Sequence, residues 1–107
     1  MIIANRVTFH ACERYCHRIL GVNCYPPAGT RPYDRAAMFC EAAGLTIEQV
    51  RALILTPTVE SACRQGFNRI RADDFIAIIC DGIIVTVKAR MKPKPVRRTR
   101  RELEAEL

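Results

Sequence analysis

Apolar residues recur at helical spacing through Ala11, Cys12, Tyr15, Cys16, Ile19 and Leu20, so the first regular element is an amphipathic helix. Thr8 is its N-cap candidate and Gly21 its stop. Before it, Ile2 to Thr8 reads as a short strand or an extended lead-in. Pro26, Pro27, Gly29 and Pro32 make residues 22–33 a loop. A second helix is expected from an Asp34 cap through Ala36, Ala37, Phe39, Cys40 and Ala43 to Gly44. Thr46-Ile47-Glu48-Gln49 is a capping-box pattern, and Ile47, Val50, Leu53 and Ile54 give the third helix one apolar face, with Pro57 ending it. Thr58 to Gln65 adds a short helical piece closed by Gly66.

The pattern then changes period. Phe75–Cys80 and Ile83–Val87 are two β-rich runs joined by Asp81-Gly82, the dipeptide of a type I′ hairpin turn. Phe67–Arg71 precedes them as a third strand. The fold class is therefore α+β, with N-terminal helices packed on one face of a C-terminal antiparallel sheet of three strands. A two-residue turn sets Cys80 opposite Ile83, Ile78 opposite Val85 and Ile76 opposite Val87, an all-apolar set expected to face the helices. A three-residue turn at Ala72–Asp74 then places Arg71 opposite Phe75 and Arg69 opposite Ala77. Arg69, Arg71, Thr86 and Lys88 would share the other face. A two-residue turn is disfavoured, because with that core face it would drive both arginines inward.

Half of the 107 residues are hydrophobic, enough for one domain with one modest core, placed at residues 1–89. The net charge of +6 is unevenly spread. Before Lys88 there are nine basic and eight acidic residues; from Lys88 onward there are eight and three. Residues 90–107 read as a basic, Pro-containing linker followed by a short C-terminal helix or a disordered tail, with Leu103 and Leu107 on one side of that helix. A cationic tail attracts nucleic acid, an acidic partner or an anionic surface. No apolar run is long enough to span a bilayer, and the first residues lack the pattern of a signal peptide, so a cytoplasmic location without membrane contact is expected. The six cysteines contain no Cys-x-x-Cys pair. Cys12, Cys16, Cys40 and Cys80 fall on apolar sides of their elements and read as small hydrophobes, with no metal site and no cofactor expected.

His10, Glu13, Arg14 and His17 form a second stripe on the first helix. A histidine near a helix N-terminus has its pKa lowered by the helix dipole, and the backbone N–H groups there can hold a phosphate. A solvated face with Glu13 balanced by Arg14 is the plainer reading. Zinc ligation by His10, Glu13 and His17 lacks a fourth ligand.

Phe9-His10-Ala11-x-x-Arg14, then Gly44-Leu45-Thr46-Ile47-Glu48-Gln49-Val50, then Asp81-Gly82-Ile83-Ile84-Val85-Thr86-Val87 make an ordered set across residues 8–89. The set resembles a family of small domains of unknown function related to BrnT-type and RelE-type toxins, within the barnase–EndoU–colicin–RelE group of RNA-cleaving folds. The loop at 22–33 with the second helix looks like an insertion, and the tail and the cysteines depart from the pattern. The resemblance implies helices on one face of a curved sheet and an RNA groove on the other. It implies a catalytic set of His10, Arg14, Thr86 and Arg69 or Arg71, with no metal. His10 would move the proton of an attacking 2′-hydroxyl, the arginines would stabilise phosphoryl charge, and Thr86 would position the phosphate. Arg71, Lys88, Arg90, Lys92 and Lys94 would bind RNA. The expected function is a metal-independent endoribonuclease of toxin type, with RNA and an antitoxin or host protein as partners. The alternative is a non-enzymatic phage or mobile-element protein that docks on a host protein or nucleoprotein complex. A third reading is a nucleic-acid-binding module whose tail supplies the affinity.

Overall fold

Thr8 stands in extended backbone and its side chain accepts the Ala11 N–H at 3.0 Å, which starts α1, Phe9–Arg18, where the sequence places it. The computed structural model describes residues 5–90, so the expected tail helix lies outside the described residues. α2, Pro32–Ala42, begins two residues before the Asp34 cap expected for it. Pro32 fills the first turn, where a missing N–H costs nothing, and Asp34 lies in that turn instead of capping it. The capping box of α3, Ile47–Ile54, is complete: Gln49 N–H donates to Thr46 Oγ1 at 3.1 Å, and Thr46 N–H donates to Gln49 Oε1 at 2.9 Å. Pro57 does not merely end α3. It opens α4, Pro57–Gln65, which Gly66 closes in the left-handed conformation.

The sheet has the order β1 (Arg69–Arg71), β2 (Phe75–Cys80), β3 (Ile83–Ala89), all antiparallel. Asp81 and Gly82 both have positive φ, 50° and 75°, as a type I′ turn requires. β1 is shorter than expected because Phe67 gives its N–H to Ala62 and finishes α4.

The register corrects the expected core face. Cys80 does pair with Ile83, but Ile78 pairs with Thr86 and Ile76 with Lys88, because Val85 is the extra residue of a β-bulge. The buried residues are Phe75, Ala77, Ile79, Ile84 and Val87. Both faces of the hairpin are apolar, so alternation alone does not choose between them. Phe75, whose ring meets Tyr15 edge-on at 5.5 Å, sits on the buried one. The other turn is also corrected. Ala72 N–H donates to Phe75 C=O at 2.8 Å around Asp73-Asp74, so the turn has two residues. The two differences cancel, and the arginines stay on the open face.

α1 is the centre of the molecule. Ala11, Cys12, Tyr15 and Cys16 are buried, with β3 on one side and α2 and α3 on others, while α4 touches β1. The lead-in adds one parallel bridge, Val7 to Ile84: Ile84 N–H donates to Arg6 C=O at 2.6 Å and Thr8 N–H to Ile84 C=O at 3.2 Å. Side chains cover more of the β3 edge. Arg6 donates to Gly82 C=O, Thr8 to Val85 C=O and Arg18 to Val87 C=O.

Candidate nucleic-acid interface

Strand pairing builds two rows across the face turned away from the helices. Arg69 lies opposite Ile78, and Ile78 opposite Thr86; Arg71 lies opposite Ile76, and Ile76 opposite Lys88. Arg69, Arg71 and Lys88 are exposed, while Ile76, Ile78, Val85 and Thr86 are half-buried. The surface is thus an aliphatic strip with cations at its margins and a hydroxyl within it. Neither arginine has an ion-pair partner among the described residues. Guanidinium groups spaced along a strand edge can each hold a phosphate by two parallel hydrogen bonds. The cluster expected from sequence is present, but it surrounds Ile76 and Ile78 rather than Ala77. Arg90 lies at its rim, donating to the carbonyls of Ala72 and Asp73. Lys92 and Lys94 lie outside the described residues.

His10 and Arg14 belong to α1, which covers the opposite face of the sheet, so the structure does not bring them to Arg69, Arg71 and Thr86. His10 is exposed beside buried Glu13, with 3.9 Å from Nδ1 to a carboxylate oxygen. Partial burial lowers the His10 pKa below 6.5, and the nearby Arg14 charge lowers it further, against the opposing pull of Glu13. The lowered pKa favours the neutral imidazole, which leaves the 3.9 Å approach to Glu13 a weak contact. The partner of Glu13 is not Arg14 but Arg35 of α2, whose Nη2 and Nε reach the same oxygen at 2.7 and 3.2 Å. Sequence spacing favoured the neighbour on the same helix; the true partner is twenty-two residues away. His17 is structural, its Nδ1 3.1 Å from Val22 C=O and its ring edge-on to Phe39.

A proton titration of the His10 ring by NMR should give a midpoint below 6.5. Because the folded state resists protonation, this group favours folding fully above pH 6.5, and the contribution fades as pH falls from 6.5 through the folded midpoint. Arg14→Ala should raise the midpoint.

Cys12, Cys16, Cys40 and Cys63 are buried, as apolar packing predicts for the first three; Cys80 is exposed, a consequence of the reversed sheet face. Burial pushes the Cys12 thiol up to about 11 and the Cys16 thiol up to about 12, so both stay protonated and unreactive. Among the described residues no group of histidine, cysteine or carboxylate side chains is placed to hold a metal ion, and no helix is long and apolar enough to cross a membrane.

Comparison with protein-family models, with curated proteins and with solved structures finds no match to this chain.

Proposed function

We propose that the protein binds RNA across the open face of its sheet, with Arg69, Arg71 and Lys88 holding phosphates and Thr86 adding a hydrogen bond. The observation that carries this reading is the pair of rows, Arg69–Ile78–Thr86 and Arg71–Ile76–Lys88. Ile76, Ile78 and Val85 offer bases an apolar floor but no aromatic ring to stack on, so recognition rests on backbone charge and is weak in sequence preference. The basic tail adds counterion-releasing contacts and works in a cytoplasmic setting.

The ribonuclease reading is held to a harder condition. Cleavage by His10 would require its imidazole to reach a phosphate that Arg69 and Thr86 hold, and α1 and the sheet stand between them. RNA cleavage in excess EDTA that His10→Ala abolishes would establish the toxin-type enzyme in place of the binding module.

Binding of an unstructured single-stranded RNA should weaken steeply with salt. Arg69→Ala and Arg71→Ala should each flatten the slope of log K against log salt by about 0.7, the value for one phosphate contact on a single strand. His10→Ala should leave the slope unchanged. A slope that neither arginine affects would remove the sheet face from the interface.

A further inference from the structure

The two edges of the sheet are finished differently. The edge of β3 is occupied by the Arg6–Thr8 segment and by the side chains of Arg6, Thr8 and Arg18. The edge of β1 has no such cover among the described residues. Ala72 and Asn68 bond to β2 through Phe75 and Ile79, so by antiparallel alternation Arg69 and Arg71 turn their backbone N–H and C=O groups outward. An edge in this state takes an added strand through main-chain hydrogen bonds, and the side chains on its two faces decide which strand fits.

Those faces differ in character. On the open face stand the side chains of Arg69 and Arg71, exposed and without an ion-pair partner among the described residues. On the helix side, Ile70 borders a shallow groove of about 420 Å³ between α4 and β1, whose walls include Pro57, Ala62 and Phe67. Phe67 is 54% exposed there. Charge disfavours the simplest occupant, a second copy of this chain. β1 laid against β1 of another copy would set the arginines of both copies side by side on one face, and like charges so placed oppose pairing. The same charges favour carboxylates, which guanidinium groups bind by paired hydrogen bonds.

We propose that the β1 edge docks an extended segment of a partner protein in which acidic and apolar residues alternate. The segment lies along β1 as a fourth strand. Two carboxylates stand beside Arg69 and Arg71, and the apolar residue between them, opposite Ile70, enters the α4–β1 groove. Residues opposite one another on paired strands share a face, so the same alternation is required whichever way the segment runs. The contact rests on the edge, the groove and the two charges, and it stands whether or not the open face binds RNA.

Titration of the full-length chain with the blocked peptide acetyl-Thr-Val-Glu-Leu-Glu-Val-Thr-amide tests it, read by amide shifts and hydrogen exchange. At saturation the Arg69 and Arg71 N–H groups should exchange about tenfold more slowly. The Ile70 N–H, already bonded within the sheet, should not change, and so reports in every variant that the fold is intact. The same peptide with both glutamates replaced by lysine should bind about tenfold more weakly. Arg69→Glu/Arg71→Glu should reverse that preference. Phe67→Ser should weaken the acidic peptide about fivefold and keep the preference. Absence of shifts in β1 at millimolar peptide, or a charge preference that survives Arg69→Glu/Arg71→Glu, would overturn the proposal. So would slowed exchange at Arg69 and Arg71 that grows with protein concentration when no peptide is present, which would mean docking between copies.

Discussion

Replacing Ile84 with alanine should lower the free energy of unfolding by about 3–4 kcal/mol, near the middle of the range for large-to-small changes in a packed core. Ile84 is fully buried, it is the residue of β3 that the lead-in strand bridges, and its backbone is fixed on both sides by Arg6 and Thr8. The surrounding β-bulge and the bridge leave little freedom for the site to collapse around the missing atoms. For a domain of this size such a loss lowers the melting temperature by about 15 °C. The informative control is Ile78→Ala. Ile78 is half-buried on the open face, so its loss should cost about 1 kcal/mol. Urea denaturation of both variants reads the two values. Equal costs, or a larger one for Ile78, would mean that the helices cover the other face of the hairpin.

Arg35→Ala should cost about 2 kcal/mol, because it strands the Glu13 carboxylate between α1 and α2. The cost lies below that of breaking a fully buried pair because the Arg35 side chain is 37% exposed and solvent screens part of the interaction. The double variant Glu13→Leu/Arg35→Met should recover most of that loss, since it removes the stranded charge and fills the same space with apolar atoms. A double variant no more stable than Arg35→Ala alone would show that packing, and not the charge, sets the cost. Chemical denaturation of the three proteins at pH 7 completes the comparison.

Local signals in the sequence were reliable wherever one residue has one physical job. Thr8, Thr46 with Gln49, and Gly66 close helix ends as read, and Asp81-Gly82 makes the turn it is suited to. The α+β arrangement with the sheet last follows from the same signals. The face of the sheet was not legible, because Phe75–Ile79 is apolar at every position and a bulge at Val85 changes parity in mid-strand. Nothing in the residues of β3 announces that bulge. The grouping of Arg69, Arg71, Thr86 and Lys88 was legible because charge must stay in water whichever way the strand turns. The separation of His10 from that group was not, since it depends on which side of the sheet α1 covers. The Glu13–Arg35 pair was hidden for a similar reason: it joins two helices whose packing no local pattern encodes.

The most direct test of the account is a map of backbone amide shifts as an unstructured single-stranded RNA is added to the protein. The open sheet face predicts that the largest changes fall on Arg69, Arg71, Ile76, Ile78, Thr86 and Lys88. Changes confined to His10, Glu13 and Arg14 on α1 would contradict it and place the RNA on the other side of the molecule.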